Sequence, residues 1–122
     1  MMAIDYIWDV KTVDVKEIDG KADTVFNVHW VLIGTDNDRL IKDELGNDKA
    51  VVERSSGTIA LDTSDLSNFI PFSDLTASKV QGWVETALNK INKNEVQNQK
   101  DSIALAIENI INPPFQTKTL DK

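Results

Sequence analysis

The chain has 122 residues, of which 41% are hydrophobic and 27% charged, and its formal net charge is −7 at pH 7. This length suits one domain, residues 1–122, with a single modest core. The acidic balance argues against nucleic acid and anionic membranes as partners, since both attract clustered Lys and Arg. The absence of Cys excludes disulfides, zinc–thiolate sites and thiol nucleophiles. With no apolar run of about 18 residues and no signal-peptide layout at the start, we expect a soluble protein made in a cytoplasm.

The first predicted strand covers residues 5–16, DYIWDVKTVDVK, where polar and apolar residues alternate. One face of this strand carries Tyr6, Trp8 and Val10. The alternation changes phase near Thr12, which predicts a β-bulge there. The dipeptide Asp19-Gly20 follows and predicts a tight hairpin turn.

The second predicted strand covers residues 23–34 and contains the only histidine of the chain, His29. Its alternation assigns one face to Phe26, Val28, Trp30 and Leu32, and the opposite face to Asn27, His29, Val31 and Ile33. General-base or metal chemistry at His29 needs partners, but the sequence has no second His and no helical spacing of carboxylates around it. We therefore interpret His29 as a half-exposed strand residue that packs or hydrogen-bonds across the sheet.

Residues 35–49, TDNDRLIKDELGNDK, are mostly polar, and Gly46-Asn47 favours a turn. We predict a hairpin whose tip projects from the domain. Its opening Asp36-Asn37-Asp38 resembles a calcium loop, but Ile41 occupies the position where an EF-hand needs Gly and Asn47 occupies that of the bidentate Glu. The sequence thus predicts no EF-hand and leaves a weak surface cation site open.

A third predicted strand, residues 50–61, contains Gly57, which indicates a bulge or a close backbone contact. Short connections between the three strands predict an antiparallel meander over residues 1–62, with three or four strands. Without G-x-S-x-G, Walker or G-x-G-x-x-G patterns, neither a serine nucleophile nor a phosphate loop is indicated. We expect no catalytic residue, cofactor or metal site.

Residues 63–112 have the pattern of two helices. The apolar corner Phe69-Ile70-Pro71-Phe72 precedes them, and we expect its two Phe side chains to clamp sheet to helix. Thr76 is the predicted N-cap of the first helix. The inward side of this helix is formed by Val80, Trp83, Val84, Ala87 and Leu88. After a polar break at Asn89–Asn94, the second helix is predicted to bury Val96, Ile103, Ala106, Ile107 and Ile110.

Asn112-Pro113-Pro114 ends the second helix, because proline lacks the amide that a helix needs. Residues 113–122 form a predicted extended tail. The fold class is therefore α+β: an antiparallel meander followed by two C-terminal helices packed on one sheet face. We expect partner contacts at the exposed apolar residues of the hairpin and the tail, namely Leu40, Ile41, Leu45, Pro113, Pro114 and Phe115.

The segments VFNVHWVLIGTD, SSGTIAL, FIPFSDLTASKVQGWVETAL and NPPF occur in an order that resembles a family of small uncharacterised proteins of marine and cyanobacterial tailed phages. The resemblance spans nearly the whole chain. Where the family pattern turns soon after G-T-D, this chain inserts about ten residues, 37–48, and it has Val31 where the pattern has Arg. The resemblance implies a phage origin and brings no catalytic residue with it.

From this resemblance we expect a non-enzymatic structural protein of the virion, first of all a capsid decoration or cement protein that contacts other phage structural proteins in several copies. One alternative is an accessory subunit of the neck, tail or baseplate. Another is an early acidic phage protein that binds and inhibits a host factor.

Overall fold

In the computed structural model, which describes residues 4–64, 69–115 and 118–120, three antiparallel strands form one sheet in the order β1-β2-β3 and two helices follow. The strands are β1 (Ile4–Ile18), β2 (Lys21–Lys42) and β3 (Asp48–Ala60), and a 3₁₀ turn covers Phe72–Asp74. The helices are α1 (Ala77–Ile91) and α2 (Glu95–Ile111). The predicted α+β fold is confirmed, with three strands. Part of the predicted tail, residues 116, 117, 121 and 122, lies outside the described residues.

The β1–β2 connection is the predicted two-residue turn. Asp19 and Gly20 have φ angles of 51° and 79°, the paired left-handed conformations that match the twist of a hairpin. The predicted bulge near Thr12 is also present, since the pairing passes from Asp9 with Val31 to Thr12 with His29. This extra residue on β1 changes which side chains face the helices.

A second bulge makes one prediction for β2 wrong. The register shifts between the pairs of Asp14 and Val15, which places one extra residue, Phe26, on β2. Val25 therefore joins the core at 7% exposure. Phe26 is only half-buried, and the ammonium of Lys16 lies 4.5 Å from its ring centroid.

The hairpin predicted for residues 35–49 is mostly strand. β2 continues to Lys42, and the turn between strands occupies only residues 43–47, with Gly46 at a φ of 80°. The inserted residues fit into the sheet through a wide bulge, because Asp36 pairs with Val51 whereas Ile41 pairs with Lys49. A smaller tip than expected therefore projects from the domain.

The core lies between one face of the sheet and the two helices. The buried apolar residues are Val10, Val25, Val28, Trp30, Leu32, Val51, Ile59, Val80, Val84, Leu88, Val96, Ile103 and Ile107. On α1 the predicted inward side is confirmed, and the Thr76 hydroxyl accepts a hydrogen bond from the Lys79 amide at 3.2 Å. On α2 one prediction is wrong: Ile110 is 39% exposed, and Ile111 packs against the core instead.

The apolar corner before α1 behaves differently from the prediction. Phe72 is 49% exposed and is not part of the core, whereas Leu75 packs against the core. Phe69 is half-buried, with the Lys21 ammonium 5.2 Å from its ring centroid. The polar break before α2 is also shorter than predicted, because α1 continues to Ile91.

Close backbone contact explains Gly57. The indole of Trp30 lies directly against this glycine, and a Cβ atom built there would be 2.8 Å from Trp30 Cζ2. Trp30 also meets Trp8 edge to face, with ring centroids 5.7 Å apart. The predicted close contact at Gly57 is confirmed, and it gives a bulky side chain room in the core of a tightly packed domain.

Replacing Gly57 with Ala should lower the free energy of unfolding by about 1–3 kcal/mol, because the buried indole has to move to admit a methyl group. Urea unfolding followed by tryptophan fluorescence measures the change. Gly82→Ala is the matched control: a Cβ at this helical position meets nothing within 4 Å, so we expect stabilisation of up to about 1 kcal/mol. Equal effects of the two substitutions would contradict the packing assigned to Trp30.

Candidate functional site

Both helices pack on the same face of the sheet, and side chains of the opposite face remain exposed. We call the latter the uncovered face. It comprises Asp5, Ile7, Asp9, Thr12 and Asp14 of β1, Asn27, His29, Val31, Ile33 and Thr35 of β2, and Val52, Arg54, Ser56 and Thr58 of β3. Ile7 is 63% exposed here, whereas Leu32 on the helix side is fully buried.

His29 lies at the centre of a polar chain that crosses all three strands of the uncovered face. Its Nε2 is 2.9 Å from Asp14 Oδ2, and its Nδ1 is 3.2 Å from the Thr58 hydroxyl. The Asn27 amide also donates to Asp14 Oδ2 at 2.8 Å. The pKa of the Asp14 carboxyl lies below its ordinary value, mainly because of the hydrogen bond from Asn27 and next because of the one with His29. The interpretation of His29 as a half-exposed residue that hydrogen-bonds across the sheet is confirmed.

The same chain of groups contains a hydroxyl, an imidazole and a carboxylate, the residue types of a nucleophile, its base and the group that orients the base. Such groups gain their catalytic effect in a site that excludes water. Here the side chains of His29 and Asp14 are 44% and 42% exposed on an open sheet surface. What this geometry supplies is cross-strand hydrogen bonding.

A second polar cluster forms where β2 bulges. Asp36 is fully buried, and its Oδ1 accepts hydrogen bonds from the amides of Asp38 and Arg39 at 2.9 and 3.0 Å. The Arg39 guanidinium donates to Asp36 Oδ2 at 3.0 Å and to Glu108 of α2 at 2.6 Å. The cluster therefore ties the bulge to the C-terminal turn of α2.

The hydrogen bonds of this cluster decide the ionisation of Asp36. Burial alone would raise the pKa of its carboxyl group, but the two amides and the Arg39 guanidinium stabilise the carboxylate more, so the pKa lies below the ordinary 3.8. The pKa of Glu108 is also lowered, mainly by its hydrogen bond from Arg39. Protein donors thus already bind the Asp36 carboxylate. It is therefore not available as a ligand for the weak surface cation site that the sequence left open at Asp36-Asn37-Asp38.

The structure separates the predicted partner-contact residues into two classes. Leu40, Leu45 and Phe115 are exposed by 50%, 86% and 73%, and Pro113 and Pro114 are exposed as well. Ile41 differs, because it is half-buried and packs against the core. The Arg39–Glu108 ion pair brings the bulge that contains Leu40 close to the end of α2, after which Pro113 follows. Leu45 lies apart, at the tip of the β2–β3 turn.

An apolar cleft of about 460 Å³ opens between the end of the sheet and α1. Asp62 and Lys90 also line this cleft. Its main apolar lining residues are Val25, Ile59, Leu61, Phe69, Trp83 and Ile91. Sequence reasoning missed the cleft, because its walls come from four separate segments of the chain and one of them depends on the bulge at Phe26.

Within residues 4–64, 69–115 and 118–120, no group of three or more His, Asp or Glu side chains is arranged to hold a metal ion. None of the helices in this part of the chain is long and apolar enough to cross a membrane. Among protein families, the model described as Domain of unknown function (DUF7936) matches residues 3–121. No curated protein and no solved structure matches the chain.

Replacing Asp36 with Asn should lower the free energy of unfolding by about 2–3 kcal/mol at neutral pH, because charged hydrogen bonds inside the protein are lost. The pKa of Asp36 is lower in the folded state, so its contribution is present above the unfolded pKa and disappears as the pH falls through the folded value.

Urea unfolding from about pH 7 down to about pH 3 should therefore show the difference between wild type and variant shrinking towards acid. Asp38→Asn is the control, since Asp38 is exposed and engages Asp36 through its backbone amide. A difference that stays constant over this pH range would contradict a buried carboxylate at Asp36.

Proposed function

The chain belongs to the DUF7936 family, and we propose that it is a non-enzymatic structural protein of a phage particle, acting as a decoration or cement protein on the capsid. The phage origin rests on the resemblance of its HW, GTI, FIPF and NPPF segments to small proteins of tailed phages. Other phage structural proteins would be its partners, and the virion its location.

The observation that carries this proposal is the amount of surface left available for protein contacts. One whole sheet face is uncovered, with Ile7 and Val52 exposed by 63% and 42%. β1 and β3 are both edge strands in the described sheet, and edge strands present unpaired backbone groups to a neighbour. Exposed apolar side chains set among polar ones, as Ile7 and Val52 are on this face, are typical of surfaces that bind other proteins.

The hairpin tip and the start of the tail add protruding apolar side chains. Leu45 projects at the β2–β3 turn, and Phe115 follows the two prolines after α2. Protrusions at separate points suit contacts with more than one neighbour, as a decoration protein makes on a capsid lattice. The exposed His29 chain fits a surface role, since hydrogen-bonding groups at an interface provide specificity.

Two other roles use the same features. An accessory subunit of the neck, tail or baseplate would also present an uncovered face and protruding ends. An early phage protein that binds a host factor is favoured by a different observation, the net charge of −7. Such a charge steers association with basic protein surfaces that bind nucleic acid.

Purified particles of the phage that encodes this chain should contain it in many copies. Mass spectrometry with labelled reference peptides gives the copy number, and separation of heads from tails before the measurement identifies the location. A signal in the head fraction supports a decoration protein, and a signal confined to tails supports the accessory role. Absence from particles together with early synthesis would overturn the structural proposal and favour the host-factor role.

A further inference from the structure

We propose that two copies of the chain pack their uncovered faces against each other about a twofold axis that runs parallel to the strands. The dimer would be a six-stranded sandwich with the helices outside. This inference rests on the residues of the sheet alone. In the dimer the second copy occupies this face, so contacts with other phage proteins would use the edge strands, the hairpin tip and the start of the tail.

The half of the uncovered face nearest the start of β1 carries four apolar side chains. Ile7 of β1 pairs with Ile33 of β2, and Val31 lies two residues away on the same strand. Val52 of β3 pairs with Thr35, directly beside this group. Ile7 and Val52 are exposed by 63% and 42%, and both β2 residues are half-buried. Two such surfaces in contact would form the inner layer of a β-sandwich.

Charge is distributed unequally between the two edges of this face. β1 places Asp5, Asp9 and Asp14 on it, whereas β3 places Arg54 there. Arg54 lies in the same row as Ile7 and Ile33, at the opposite edge of the sheet. Among the described residues, the ion pairs do not involve Arg54.

This distribution selects one of two face-to-face arrangements. A twofold axis perpendicular to the strands would stack β1 on β1 and bring the aspartates of both copies together, which is repulsive. An axis parallel to the strands stacks β1 of one copy on β3 of the other. Rotation about this axis leaves each residue at the same height along the strands. Arg54 therefore lies over Ile7 of the second copy, between its Asp5 and Asp9. The contact is isologous, so it forms twice.

The size of the face sets the expected affinity. Three strands and about ten residues per strand cover roughly 15 by 30 Å. The area of a face of these dimensions lies below the roughly 800 Å² that each partner buries in a standard stable interface. We therefore expect a reversible dimer with a dissociation constant in the micromolar range, weakened by salt because the Arg54 contacts are exposed at the rim.

Sedimentation velocity on the full chain, from about 10 to about 500 μM, tests this directly. Wild type should shift from monomer to dimer. Ile7→Lys should raise the dissociation constant at least about tenfold, because it removes an apolar contact and places an ammonium group opposite the Arg54 guanidinium of the second copy. Leu105→Lys is the matched control, since Leu105 is 62% exposed on α2 and lies away from the sheet face. The control should dimerise like wild type.

A charge exchange tests the orientation of the two copies. Arg54→Asp should weaken the dimer, and Asp9→Arg added to it should restore dimerisation. Within one chain these positions lie two strands apart, roughly 10 Å, where screening leaves little coupling. Circular dichroism confirms that each variant keeps the fold. A chain that stays monomeric at all concentrations, or a dimer that Leu105→Lys weakens as much as Ile7→Lys, would overturn the proposal.

Discussion

The two-residue alternation of side chains along β2 is the constraint on which the rest of the structure depends. β2 is the central strand, so its inward residues Val28, Trp30 and Leu32 form the floor on which both helices pack. Its outward residues His29, Val31 and Ile33 are committed to the other face by the same geometry. Both helices pack on the inward residues, so the opposite face of the sheet stays uncovered among the described residues.

Short-range patterns predicted most of this fold. The Asp19-Gly20 turn, the Thr76 cap and the inward side of α1 each depend on residues within a few positions, and all three are confirmed. The bulge near Thr12 was predictable because it changes the phase of an otherwise regular alternation. The shift at Phe26 was not, since Val25 and Phe26 are both apolar and either one satisfies the pattern.

Long-range partners explain what the sequence did not predict. Residues 35–42 are polar enough to suggest a loop, yet Asp36 is fully buried because the amides of Asp38 and Arg39 and the Arg39 guanidinium donate hydrogen bonds to it. The same guanidinium is held in place by its ion pair with Glu108. Glu108 is 69 residues away from Arg39 along the chain, and no local pattern announces the contact. His29 likewise appeared isolated in sequence, although its partners Asp14 and Thr58 are supplied by the neighbouring strands. In both cases the pairing register creates the site.

The acidic residues of β1 give the uncovered face its selectivity. Charged side chains are a usual protection against unwanted association of exposed strands. Asp5, Asp9 and Asp14 lie on the exposed face of β1, so any face-to-face arrangement that stacks β1 on β1 brings like charges together. A single cation at the other edge, Arg54, leaves one orientation favourable. The same charges that oppose aggregation therefore specify the geometry in which this face can be covered.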